Sequence, residues 1–227
     1  MLKDFRWGFL STLPAGLSVI AYSIVLGILA LEQGLSLPQL LLMDVGVFAG
    51  SAQFVMVQMW QTPLSIFSMA LSAAVINLRY FVIGASLFPL FNTEPLWRRL
   101  VMIHFVTDES WAVTMAHSRR NPVKATFLIG GGTCIMLVGL AGTLVGYALG
   151  VAIPIFPSIL SDFAFIGVFA GLALSLWRGK GDLLPWCVAA VVATLVHRLI
   201  AGNWHILIGG VVGALTGALV SERRSPS

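Results

Sequence analysis

Apolar residues run through this sequence in long blocks. They do not show the period-two alternation of half-buried strands or the single apolar stripe of a soluble helix. Eight blocks are long enough to cross a hydrocarbon core of roughly 30 Å, which takes about 20 residues of helix. They cover residues 10–31, 37–60, 63–90, 98–117, 125–150, 158–177, 183–201 and 203–220. Short polar connections separate them, several marked by Pro38, Pro63, Pro95, Pro122 and Pro157. The last two blocks are divided only near Gly202-Asn203, so seven spans is an open alternative to eight. The pattern predicts one all-α, polytopic membrane bundle over residues 1–227, with some helices broken or kinked.

Composition agrees and narrows the class. Of 227 residues, 58% are hydrophobic and only 10% are charged, against about 25% charged in an average soluble domain. So few polar groups cannot cover a soluble fold of this size, which excludes a cytosolic enzyme, a disordered chain and a disulfide scaffold. The net charge of +4 comes from basic residues set singly or in pairs in short loops, which is not a nucleic-acid footprint. Cys134 and Cys187 lie far apart in apolar runs with no Cys/His cluster, so neither a metal site nor a cofactor is expected. The charged residues 1–6 ahead of an apolar run mimic a signal peptide. The run at 10–31 is long, contains Pro14 and has no clean cleavage site, so it reads as a retained helix.

Lys and Arg orient the bundle. With eight spans and the N-terminus inside, Lys3, Arg6, Arg119, Arg120, Lys124, Arg178, Lys180, Arg223 and Arg224 fall in the cytoplasm. Arg98, Arg99 and Arg198 fall outside, and Arg79 falls within a span. Both termini are therefore predicted to be cytoplasmic.

The residues of chemical interest are polar ones at membrane depth, where a charge costs at least about 2.5–3.5 kcal/mol. In the second block Gly46 and Gly50 form a small-xxx-small pair, continued by Gln53. Asp44, Ser51 and Gln58 lie on nearly the opposite face of a continuous helix. Either protein packs on both faces or the helix is unwound near Gly50-Ser51, a recurrent device for binding small solutes in the membrane. The third block has 28 residues, about 42 Å of helix at 1.5 Å per residue, which is long for one span. It carries Arg79 far from either end, with Asn77 on another side. Arg79 calls for an internal partner, and Asp108, Glu109 or Asp44 can supply it. In the fourth block His104 and Asp108 are one turn apart, and Glu109 flanks them. Adjacent acids in a low-dielectric bundle titrate as a coupled pair, which suits either proton handling or simple neutralisation of Arg79.

Glycines recur every four residues at Gly142, Gly146 and Gly150, and again at Gly209, Gly213 and Gly217. Both rows are close-approach faces between helices. The pentapeptide GVFAG occurs at 46–50 and 167–171, each after an upstream acid, Asp44 and Asp162. The offset of 121 suggests a weak internal repeat pairing the first block with the fifth and the second with the sixth.

Four motifs in order, FAGSAQF (48–54), NLRY (77–80), ASLFP (85–89) and TDES (107–110), resemble the AzlC/YgaZ family of branched-chain amino acid exporters. The resemblance is strongest over residues 8–120. It implies a single transporter domain in the bacterial inner membrane that moves leucine, isoleucine, valine or analogues. It also implies a small membrane subunit of the AzlD/YgaH type. Carried over by position, Gly50, Ser51, Gln53, Asn77 and Arg79 become candidate substrate contacts. Asp108, Glu109 and His104 become candidates for proton coupling, and Asp44 a possible ion-pair partner. Phe54, Val55, Met56 and Phe81 are candidate walls for an apolar side chain. No catalytic residue is expected: HExxH, GxSxG and GxxxxGK[ST] are absent. A membrane-embedded enzyme and a scaffold or sensor subunit without transport of its own stand as the rival classes.

Overall fold

The computed structural model describes residues 2–60, 63–92, 94–119, 121–152, 166–167, 170–171, 177, 179, 181–200 and 204–222. Most of the predicted span at 158–177, with Asp162 and much of the second GVFAG, lies outside the described residues. Regular structure among the described residues is helical: α1 (Leu2–Glu32), α2 (Leu37–Gly46), α3 (Gly50–Gln58), α4 (Ile66–Ile76), α5 (Arg79–Phe91), α6 (Leu96–His104), α7 (Asp108–Ser118), α8 (Ala125–Ala152), α9 (Leu183–Leu199) and α10 (Trp204–Glu222).

Two of these helices, α1 and α8, are each long and apolar enough to cross a bilayer alone. The α4–α5 pair passes the same test as one span bent by 47°. The blocks expected at 37–60, 63–90 and 98–117 are thus each two short helices, interrupted at residues 47–49, 77–78 and 105–107. The 63–90 block had more residues than one straight span uses, and its bend absorbs the surplus.

The core of the bundle is the contact between α1 and α8. It is built from glycine on both helices. A Cβ on Gly8 would strike the Phe127 carbonyl, one on Gly130 the Phe5 carbonyl, and one on Gly146 the Ile24 carbonyl. Gly142 sits against Ser23 and Ile20 in the same way. The backbones touch because no side chain stands between them. Residue numbers rise together along the two helices, from Gly8 beside Phe127 to Leu31 beside Gly150, so α1 and α8 run parallel. The glycine row read from the sequence on α8 is one half of this seam. The second row also packs within the chain: Gly209 lies against Ala193 and Ala189, and Gly213 against Ala189 and Pro185. That makes α9 and α10 two separate, antiparallel helices.

Local chemistry sets the turn after α1. Gly34 has φ +78°. The Leu35 amide donates back to the Ala30 carbonyl at 2.9 Å and the Gly34 amide to Leu31 at 3.0 Å, a Schellman ending that favours glycine. The Ser36 amide then donates to Gln39 Oε1 at 2.9 Å, and Pro38 occupies the first turn of α2, where its missing N–H costs nothing. Leu35, fully in the core, packs with Leu26, Leu29, Leu40, Met43 and Phe54. This ties α1, α2 and α3 together.

Substituting leucine for Gly146 should lower the melting temperature of the purified protein in detergent. Overpacking of this kind costs about 1–3 kcal/mol, or roughly 2–12 °C for a chain of this size. Gly210→Ala, where nothing lies within 4 Å of the added carbon, should leave the melting temperature in place.

Candidate functional site

The three interruptions have different local causes. At the first, Val47 continues the bond pattern of α2, but Phe48 turns to φ +43° and Ala49 is extended. A bulky residue in the left-handed region is strained, and such strain is held only where the surroundings impose it. At the second, Asn77 and Leu78 form a turn between α4 and α5. At the third, Thr107 caps α7: its Oγ1 accepts from the Ser110 amide at 3.1 Å, and Ser110 Oγ accepts from the Thr107 amide at 2.9 Å. Asp108 and Glu109 fill the first turn, where carboxylates complement the positive end of the helix. The TDES motif is therefore a helix start. A capping residue followed by two acids is the sequence signal for it.

The interruptions meet around one pocket. It holds about 670 Å³ of empty space, counting the part open to solvent. Its polar wall comes from Asp44, Ser51, Gln53, Arg79, Asp108 and Glu109, with Tyr22 and Ser23 of α1. Its apolar wall comes from Val19, Leu26, Phe54, Ile135 and Leu140.

Arg79 organises the polar wall. As the first residue of α5, it sends Nη2 to Ser51 Oγ at 2.8 Å and Nη1 to Asp108 Oδ2 at 2.8 Å. Its guanidinium also lies over the Tyr80 ring, 5.3 Å from the centroid, a cation–π contact. Of the three partners the sequence offered, the structure selects Asp108. Asp44 is engaged elsewhere: Gln53 Nε2 donates to Oδ1 and Thr143 Oγ1 to Oδ2, each at 2.6 Å. Among the three alternatives, Asp44 is thus not the partner of Arg79.

Of the sequence-derived candidates, Gly50, Ser51, Gln53, Arg79, Asp44, Asp108 and Glu109 line the pocket together. Asn77 does not; it ends α4 two residues before Arg79. His104 does not either, and its ring lies 5.8 Å from that of Phe48 and 5.7 Å from that of Phe105. Among the expected apolar walls only Phe54 contributes, and Phe81 is 78% exposed. Tyr22, Ser23 and Tyr80 line the pocket without having been singled out. Tyr22 and Ser23 are an adjacent polar pair in an apolar helix with no motif around them, whereas Tyr80 closes the NLRY motif beside Arg79 and was readable from it. Thr143 on α8 reaches the site through Asp44.

Comparison with known proteins matches the pocket-bearing part of the chain. The family described as "AzlC protein" matches residues 14–153, more than half of the chain, from within α1 to the end of α8. Two proteins of Helicobacter pylori, each named "Uncharacterized membrane protein", are similar over nearly their full lengths. One, from strain J99, is 23% identical over 225 residues, covering 98% of this chain and 96% of its own. The other, from strain 26695, is 23% identical over 216 residues, covering 94% and 93%. No solved structure matches.

A double-mutant cycle on Arg79→Ala and Asp108→Ala, read as stability in detergent, should return a coupling of about 0.5–1 kcal/mol. That is the low end for contacting residues, because side-chain exposures of 34% and 43% leave the pair partly screened. Zero coupling would mean that the pair does not form.

Proposed function

The chain belongs to the AzlC protein family, and from that premise we propose that it is a secondary carrier exporting branched-chain amino acids. The observation that carries this reading is the chemistry of the pocket wall. A guanidinium, a free helix start and carboxylates stand beside an apolar surface. An apolar amino acid presents the complement: a carboxylate, an ammonium and a hydrocarbon side chain.

In this reading the substrate carboxylate meets the start of α3. Ala49, the residue before that helix, has no side-chain group to cap its first amides, so the amides of Gly50 and Ser51, both at the pocket, are available to an anion. Arg79 adds positive charge beside them. The ammonium faces Glu109, since Asp108 already accepts from Arg79. The side chain lies against Val19, Leu26, Phe54, Ile135 and Leu140. GxxxxGK[ST] is absent from the sequence, so ATP drive would need another subunit, and in this reading export draws on the proton gradient.

The parallel run of α1 and α8 bears on topology. Helices on the same heading need an odd number of crossings between them. The pairs α2–α3, α4–α5 and α6–α7 supply three if each crosses once. That makes five spans through α8, and with the block at 158–177, α9 and α10 each crossing once, eight in all, in the bacterial inner membrane with both termini cytoplasmic. Chain breaks at membrane depth are tolerated where they line a cavity, which is where these lie. A small AzlD/YgaH-type subunit is the expected partner.

Inverted membrane vesicles should accumulate labelled leucine. Arg79→Ala and Asp108→Asn should each lower the initial rate by roughly tenfold or more, the effect of losing about 1.4 kcal/mol of interaction. If both variants transport at the normal rate, the pocket is not the substrate site.

A further inference from the structure

A proton-coupled carrier needs a group that takes up the proton and reports it to the moving parts. Asp108 is tied to Arg79, and His104 does not line the pocket, its ring packing against Phe48 and Phe105. Asp44 differs from both. It is 7% exposed, and its hydrogen-bond partners, Gln53 and Thr143, are neutral. The titratable or charged groups that share its pocket are Tyr22 on α1, Arg79 and Tyr80 on α5, and Asp108 and Glu109 on α7. On α8, Tyr147 donates to the Leu35 carbonyl. Among the described residues no cation forms an ion pair with Asp44.

Thr143 allows this site to hold either charge state. A hydroxyl has one proton to donate and lone pairs to accept with. Thr143 Oγ1 has three acceptors in reach: Asp44 Oδ2 at 2.6 Å, the Leu140 carbonyl at 3.1 Å and the Gly139 carbonyl at 3.2 Å. With Asp44 ionised, Thr143 donates to it. With a proton on Oδ2, the acid donates to Thr143, whose own proton turns to Leu140 or Gly139. Gln53 donates to Oδ1 in both states. Neither state leaves a buried polar atom without a partner, which is what a reversible proton site in a dry wall requires.

The site also spans a hinge. Asp44 lies near the end of α2 and Gln53 in the first turn of α3. Their bond bridges the interruption that holds the strained Phe48. Bonds to an ionised acceptor are roughly twice as strong as neutral ones.

We propose that Asp44 carries the coupling proton, and that its protonation loosens the α2–α3 hinge by weakening the bonds to Gln53 and Thr143. This rests on the carrier reading above. The proton adds to Oδ2 from water on one side of the membrane and leaves to water on the other. Only that O–H bond forms and breaks.

The test uses the full chain, purified with any subunit that accompanies it, in proteoliposomes with labelled leucine. Two assays are run: accumulation driven by a pH difference, and exchange of labelled for unlabelled leucine at equal pH. Asparagine at position 44 reproduces the protonated acid, its carbonyl accepting from Gln53 and its amide donating to Thr143. In Asp44→Asn the rate of leucine exchange should be indifferent to pH. Its accumulation should fall by roughly tenfold or more, as expected for a lost proton-transfer group. Normal pH-driven accumulation in Asp44→Asn overturns the proposal. So does loss of exchange in a folded variant, which would place Asp44 on the substrate. Should Asp44→Asn fail to fold, Thr143→Val should shift the pH midpoint of accumulation, and an unshifted midpoint overturns the proposal. Wild-type protein that exchanges leucine but does not accumulate it overturns the proton site alone. Wild-type protein that exchanges none takes down the carrier reading as well.

Discussion

Arg79 holds the site together. Its guanidinium stays charged at any biological pH, and a charge of that kind at membrane depth is tolerable only with partners at hand. It finds them at two other helix starts: Ser51 on α3 and Asp108 on α7. Since Arg79 itself opens α5, one side chain connects the three places where the chain interrupts its helices. The interruptions in turn need a polar setting, because backbone groups freed at membrane depth must be satisfied by protein or cavity water. Charge, chain breaks and pocket therefore form one arrangement, in which removing any part leaves the others costly.

This polar layer leans on an apolar frame of different character. Glycine on both α1 and α8 brings two long parallel backbones into contact, and close packing of this kind resists deformation. The frame contributes Tyr22 and Ser23 from α1 and Ile135 and Leu140 from α8 to the pocket. The short helices around it are joined by turns, one of which carries backbone strain at Phe48. A rigid pair beside interrupted helices matches the general form of carriers whose binding site lies between a fixed and a moving element.

Much of this was legible in the sequence, and the failures lie where a chain break or a long-range pairing intervenes. The glycine row at 142, 146 and 150, the surplus length of block 63–90 and the need of Arg79 for an acid were each visible in composition and spacing. The helical faces were not. A continuous helix puts Asp44 and Gln53 on opposite sides, yet they share a 2.6 Å hydrogen bond, because the interruption at 47–49 resets the helical phase. At the separate break of 77–78, Asn77 falls in a turn, and Phe81 on α5 is exposed and outside the pocket. The Thr143 contact with Asp44, 99 residues away along the chain, joins α2 to α8, a pairing that no local pattern encodes. Thr107, by contrast, carried a readable capping signal within a block that hydropathy alone treats as one span.

The central claim is that three chain breaks, joined through Arg79, form one substrate site. Hydrogen exchange of the full-length protein in lipid nanodiscs, with and without leucine, tests it directly. Leucine should slow exchange together at residues 47–52, 77–80 and 105–109, while α9 and α10 stay as they were. Slowed exchange at one break without the others, or protection confined to α9 and α10, would contradict it.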